Sequence, residues 1–254
     1  MFDTHFEMVY ADNEEARRLH YRLRYQVYCQ ETGFEDPEDF PDMQESDQWD
    51  DCSAHFLVRA RTTGEWIAAM RLILPKCNKL PIEEICDLDD SIVAQVPHDK
   101  VAEISRLCMV SNYRRRKQEI NLPCEEPGSE LGQADRKLVD RRVEPEILLG
   151  MLRGAAYYCR ARGIRYLYFL CTRALERMIG RLAISMQSIG PLCIYRGERY
   201  PFLADLESEA KRLSQASSEM ALMLARVPAY SYYSELKTED NKRGNKIDSD
   251  ASLV

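Results

Sequence analysis

The chain has 254 residues, 45% hydrophobic and 30% charged, with a formal net charge of -7. That supplies one sizeable core, carried by one large domain or one domain with appendages, in the composition of an ordinary globular protein. The acidic balance argues against generic nucleic-acid binding.

Nine cysteines make an odd number, and only four histidines accompany them. No CxxC pair and no zinc spacing occur, so no metal is expected. Cys108, Cys159, Cys171 and Cys193 sit in apolar runs, where cysteine is usually a small buried hydrophobe; all are read as reduced thiols of a cytoplasmic protein. The first residues lack a basic stretch followed by an apolar one, so no signal peptide is expected, and no apolar run reaches transmembrane length.

In chain order, residues 5–10 read as a first strand. Asp12 or Asn13 then offers an N-cap, and Glu14 and Glu15 fill a first helical turn. Ala16, Leu19, Leu23 and Val27 follow at helical spacing, Arg24 and Tyr28 share a face, and Gly33 is a natural stop. Residues 35–51 are acidic, hold two prolines and lack an apolar period. They form either a solvated connector or a lid over a site for a cationic amine. Residues 54–61 and 65–74 predict a hairpin turning at Thr62-Thr63-Gly64, with Arg71 embedded in the second strand. Residues 76–98 read as loop with a short helical piece.

Residues 101–110 predict a buried strand that contains Glu103, Ser105 and Arg106. Buried charges cost several kcal/mol unless paired, so each needs a partner. Strict alternation puts Glu103 and Ser105 on one face, looking into a cleft, and Arg106 on the other as a brace. The cations Arg114, Arg115, Arg116 and Lys117 come next. Residues 118–143 read as a polar insertion. A helix follows from Pro145 to about Arg162, then a strand at 166–172, a helix at 174–184, a short strand at 192–195 and a helix at 202–225. The chain is expected to form one domain over 1–236, with a disordered tail over 237–254. Early strands and late helix-strand alternation give a mixed-sheet α/β or α+β fold. Walker and GxGxxG motifs are lacking, so neither an NTPase nor a dinucleotide-binding reading has support.

Four local features stand in order: Arg24 through Tyr28, Glu45 through Asp50, Arg71, and Glu103-Ile104-Ser105-Arg106. Together they resemble the acyl-homoserine-lactone (autoinducer) synthases, a branch of the GNAT-fold N-acyltransferases. Within that group the chain is most similar to acyltransferases associated with the PEP-CTERM/exosortase system and to N-acyl amino acid synthases. The resemblance covers residues 24–106 and beyond about 110 keeps only the order of elements. It implies a GNAT-like fold, a mixed central sheet flanked by helices, with a cleft between splayed strands.

The resemblance also implies a charge network of Arg24, Asp47, Asp50 and Arg71 ordering the lid and site. Asp47 is read as the substrate contact because an acid attracts an amine, and Tyr28 and Trp49 as lid and core packing rather than substrate cages. Ion-pair networks are often purely structural, and for Arg24, Asp50 and Arg106 that reading stays open. The position after the first helix that is usually Trp in the family is Phe34, a departure that counts against S-adenosylmethionine as substrate.

The chemistry expected is transfer of a fatty acyl group from acyl carrier protein, or from acyl-CoA, to the amine of an amino acid or similar small molecule, with no tightly bound cofactor. Glu103, its pKa raised by an apolar setting, would deprotonate the amine directly or through one water, with Ser105 beside it. A thiol nucleophile is disfavoured, because no cysteine has a base nearby in sequence. Arg114 to Lys117 contain no glycine where coenzyme-A enzymes carry a Gly-rich loop. That favours side-chain contacts to the phosphopantetheine of a carrier protein, although a merely solvated basic loop fits the same residues. An autoinducer synthase consuming S-adenosylmethionine and a non-catalytic acyl- or carrier-protein-binding module are the alternatives.

Overall fold

The computed structural model describes residues 2–115, 143–215 and 229–238. Among these, nine strands build one mixed sheet, ordered β6-β8-β5-β4-β3-β2-β1-β9, with β7 pairing with β8. The strands are β1 Phe6–Tyr10, β2 Ser53–Ala60, β3 Trp66–Ile73, β4 Val101–Met109, β5 Tyr166–Cys171, β6 Gln187–Ser188, β7 Cys193–Ile194, β8 Glu198–Asp205 and β9 Ser231–Tyr232. Among the described residues the helices include α1 Phe2–His5, α2 Glu14–Tyr25, α3 Pro81–Ile85, α4 Asp90–Val93, α5 Ser111–Arg115, α6 Val143–Ala161, α7 Arg173–Arg181 and α8 Leu206–Gln215.

Local sequence explains the first half well. The Asn13 side chain accepts from the Ala16 N–H at 2.9 Å and starts α2. Ala16, His20 and Leu23 face inward. The helix then widens into a π-turn over Gln26–Glu31 and stops before Gly33, whose φ of 64° suits a residue without Cβ. β2 and β3 form the expected antiparallel hairpin, with His55 opposite Arg71. One core cluster lies between the sheet and α6, which buries Ile147, Leu148, Met151, Ala155 and Cys159. Gly150 and Gly154 allow this helix to approach the Phe2 ring and the Met8 thioether, where a Cβ would collide. A second cluster around Ile73, Ile82, Val101, Tyr168 and Leu203 covers the other face of the sheet.

The strand that frames the site departs from its neighbours in two ways. β4 pairs in parallel with β5 only from Val101↔Tyr166 to Ile104↔Phe169, after which the paired register ends and a gap opens. Against β3, Ala69 pairs with Cys108 but Arg71 with Ser105, so two steps on β3 match three on β4. The extra residue is a β-bulge, and Arg106 there has a φ of 49°. Strict alternation therefore fails at Arg106. The bulge brings it into the same charge cluster as Arg71, not to a separate brace on the opposite face.

Three other expectations need correction. Residues 202–205 end strand β8 and do not begin a helix; α8 starts at Leu206, and 216–228 lie outside the described residues. Leu203, Leu206, Ala210 and Leu213 fit a helical period. In the sheet Pro201 sits opposite Leu170, and its carbonyl accepts from the Ile189 N–H at 3.1 Å. Cys52 and Cys77 are disulfide-bonded, against the reading of all cysteines as thiols; two half-exposed side chains that fold together do not advertise themselves in sequence. Residues 233–238 are helical, so 237 and 238 continue an ordered element; the rest of the expected tail, and the insertion up to residue 142, lie outside the described residues. Among the described residues no helix is long and apolar enough to cross a membrane.

Candidate active site

The gap between β4 and β5 opens into a cavity of about 230 Å³. Its polar end is lined by Glu103, Ser105, Arg71 and Arg106, with Tyr28, Phe34 and Trp49. Its apolar end lies between Phe169, Leu148 and Leu152 of α6, and Leu175 and Ile179 of α7. Tyr195, Arg196 and Arg199, from the β7–β8 hairpin, also line it.

Glu103 is 2% exposed. Its carboxylate accepts one hydrogen bond, from the Ile82 N–H of α3 at 3.0 Å. Burial pushes its pKa up to about 8, against the smaller downward pull of that N–H and of Arg71. Among the described residues it forms no ion pair, which distinguishes it from every other buried acid around the cavity.

The remaining charges are tightly cross-linked. Arg24, fully buried, donates through Nε to Glu45 at 2.5 Å and through Nη1 to Asp50 at 2.6 Å. Arg71 donates through Nε to Ser105 Oγ at 2.9 Å, bonds Asp47, and lies 3.0 Å from Asp50. Arg106 reaches Glu45 and Asp47, both at 3.0 Å, and Glu35 at 3.3 Å, with its guanidinium 5.7 Å from the Tyr28 ring centre. Burial pushes the carboxyls of Asp50, Glu45 and Asp47 up. The guanidiniums outweigh it: Arg24 and Arg71 hold Asp50 well below the carboxylate range, Arg24 and Arg106 lower Glu45, and Arg71 and Arg106 lower Asp47. These acids stay ionised, and the acidic segment is bound to the sheet through Glu45, Asp47 and Asp50.

Most residues singled out in the sequence fall within the described part of the chain. Tyr28 donates its hydroxyl to the Leu107 carbonyl at 3.2 Å and lines the cavity, as do Phe34 and Trp49. Asp50 and Arg24 lie behind the cavity wall, where they tether Arg71 and the acidic segment. Asp47 joins Arg71 to Arg106 and its N–H donates to Asp50 at 2.7 Å. Arg114 and Arg115 close α5, while Arg116 and Lys117 lie outside the described residues. The Ser111 N–H that opens α5 already donates to Glu31 at 2.8 Å.

Sequence reasoning passed over Glu45, the hub between Arg24 and Arg106, although its position in the acidic motif was visible. It also missed Glu35, which bonds both Arg106 and Arg196, and the Ile82 N–H. The Glu35–Arg196 contact joins positions 161 apart, and no local pattern signals it.

Comparisons with known proteins agree with this fold. Residues 23–122 match the family model of an acetyltransferase (GNAT) domain. Among solved structures, TofI in a ternary complex with an inhibitor and MTA is similar at 19% identity and a TM-score of 0.53, covering 80% of this chain and 91% of that one. BjaI, a CoA-dependent acyl-homoserine lactone synthase solved with SAM and isopentyl-CoA, shares 14% identity at a TM-score of 0.51, covering 87% of this chain and 98% of that one. No curated protein sequence matches the chain. The domain match over residues 23–122 and the mixed sheet with its β4–β5 gap give the chain a GNAT-like fold.

Proposed function

We propose that the protein transfers a fatty acyl group from a thioester donor, acyl carrier protein ahead of acyl-CoA, to the amine of an amino acid or similar small molecule. One observation carries this reading. A buried carboxyl that forms no ion pair among the described residues, Glu103, and an apolar chamber open into the same cavity through the gap between β4 and β5. A base for an amine and a seat for an alkyl chain are the two things such a transfer needs.

The acceptor enters as an ammonium ion, and the ionised Glu103 takes its proton directly or through one water. The amine nitrogen attacks the thioester carbonyl carbon. A C–N bond forms, and a backbone N–H from the stretch of β4 no longer paired with β5 stabilises the oxyanion. Collapse breaks the C–S bond, the leaving thiolate takes the proton from Glu103, and the re-ionised carboxylate removes the second proton from the acylated nitrogen and passes it to solvent, leaving the neutral amide. Ser105 accepts from Arg71, so its own O–H is free to donate toward the reacting thioester. No covalent enzyme intermediate forms.

Two observations favour the carrier protein as donor. The first amide of α5 is already bonded to Glu31, which competes with a phosphate cradled on backbone amides. Arg173, Arg177 and Arg181 lie at four-residue intervals on the exposed side of α7 and form no ion pair among the described residues, while Leu175 and Ile179 of the same helix line the cavity. A basic stripe behind the acyl chamber suits an acidic carrier protein. The proposed compartment is the cytoplasm, where such donors are made. The proposed link to the PEP-CTERM/exosortase system rests on the motifs at 24–106.

A second reading, an acyl-homoserine-lactone synthase acting on S-adenosylmethionine, is favoured by the fold shared with BjaI. Phe34, half-exposed at the cavity, stands against it. Purified protein given acyl carrier protein donors with amino acids or with S-adenosylmethionine separates the two. N-acyl amino acid supports the first reading, and lactone release with S-adenosylmethionine consumption overturns it.

A further inference from the structure

Cysteines gather in two pairs on the face of the sheet that carries Glu103. Cys52 is bonded to Cys77. Cys86 and Cys193 are not bonded, yet their Sγ atoms approach to 2.9 Å, inside the van der Waals contact of two sulfurs. Both are part-exposed, so a small oxidant can reach them, whereas Cys29, Cys108, Cys159 and Cys171 are buried.

The backbones beside this pair are already packed together. The Asp89 N–H donates to the Ile189 carbonyl at 2.7 Å, and Gly190 rests on the Asp87 carbonyl with no room for a Cβ. A bond between the two sulfurs therefore needs no refolding. Its location matters for the site. Cys86 directly follows α3, whose Ile82 N–H holds Glu103. Cys193 pairs with Arg199 in the hairpin whose turn, Arg196 at φ 52° and Gly197 at φ 97°, sends Arg196 across to Glu35.

We propose that Cys86 and Cys193 are a reversible oxidation site, forming a second disulfide that clasps the helix behind Glu103 to the hairpin at the cavity mouth. The oxidant is a low-molecular-weight disulfide such as oxidised glutathione. The thiolate of one cysteine attacks it, expels one small thiol and forms a mixed disulfide. The second cysteine then displaces the other thiol. Two protein thiols become one disulfide, and one external disulfide becomes two thiols. With the hairpin pinned at Cys193 and Arg196 bonded to Glu35, exchange of substrate and product slows. This last consequence rests on the acyl-transfer reading; formation of the bond does not.

The test is peptide mapping without reduction, after treatment with excess oxidised glutathione and alkylation of remaining thiols, with turnover measured on the same samples. A linked Cys86–Cys193 peptide that disappears on reduction is expected, with turnover reduced severalfold and restored by reductant. Cys193→Ser should lack the peptide, keep basal turnover and lose the response. Alkylation of both cysteines after oxidation, or a linked peptide with unchanged turnover, would overturn the proposal. So would a loss of turnover that persists in Cys193→Ser. If no preparation turns over any donor, the acyl-transfer reading fails, and the peptide map alone still decides whether the bond forms.

Discussion

Arg71 Nε donates to Ser105 Oγ at 2.9 Å, while its Nη1 bonds Asp47 and lies 3.0 Å from Asp50. The guanidinium is thereby occupied one strand away from Glu103 and forms no ion pair with it. Among the described residues Glu103 is left with a single backbone N–H donor, and its pKa is pushed up to about 8 instead of the carboxylate being pinned in its charged form. The arrangement suits a proton acceptor for an amine, and its consequences can be measured.

Turnover should rise as pH climbs through about 8, because only ionised Glu103 can take the amine's proton. Glu103→Gln should lower kcat by about 10²–10⁴-fold and abolish that limb of the profile. A steady-state pH-rate series on both proteins reads the effect.

The same carboxyl makes a stability prediction with a definite sign. Its folded pKa lies above its ordinary value of 4.5, so between there and about 8 the unfolded chain ionises while the folded one stays protonated. Stability from this group is thus lost as pH rises through that window and levels off above it. Urea midpoints from pH 5 to 9 should fall less steeply in Glu103→Gln than in the parent chain.

Asp50 behaves in the opposite way. Its pKa is lowered, so its contribution is fully present above the ordinary aspartate range and is lost only as pH falls below it. Arg24→Ala leaves Glu45 and Asp50 buried without their main partner and should cost about 3–5 kcal/mol, read by urea denaturation at neutral pH. Loss of activity in this variant without loss of stability would show that Arg24 acts on the chemistry and not on the scaffold.

The basic stripe of α7 separates the two donors. Replacing Arg173, Arg177 and Arg181 with Glu should raise KM for acyl carrier protein at least tenfold and leave KM for acyl-CoA nearly unchanged. The carrier-protein KM of the parent should also rise with salt. Equal effects on both donors would place the stripe outside carrier-protein recognition.

Leu175→Phe narrows the apolar end of the cavity. Each buried methylene of an acyl chain contributes about 0.8 kcal/mol, so excluding a few of them should lower kcat/KM for long chains about tenfold or more while short chains lose little. Competition between donors of different length in one reaction measures the shift.

Much of this site could be read from the residue order. A helix cap at Asp12 or Asn13, the hairpin around Arg71 and the buried strand with Glu103 each follow from local patterns of charge and apolar spacing. The need of Arg71 for an acidic partner followed from burial alone. What local patterns could not supply were relationships set by tertiary register. The bulge at Arg106 depends on how β4 matches β3, and strand β8 on its pairing with β5 despite Pro201. The Glu35–Arg196 and Cys86–Cys193 contacts join segments more than a hundred positions apart, where no periodicity reaches.

The most direct measurement is a single-turnover reaction of purified protein with long-chain acyl carrier protein and a panel of amino acids, with product identified by mass spectrometry. The parent chain should release N-acyl amino acid together with the free carrier thiol, and Glu103→Gln, folded to the same extent, should release neither at a comparable rate. Full turnover by Glu103→Gln would contradict the role given to that carboxyl, and no product from the parent with any amine would contradict acyl transfer to an amino acid itself.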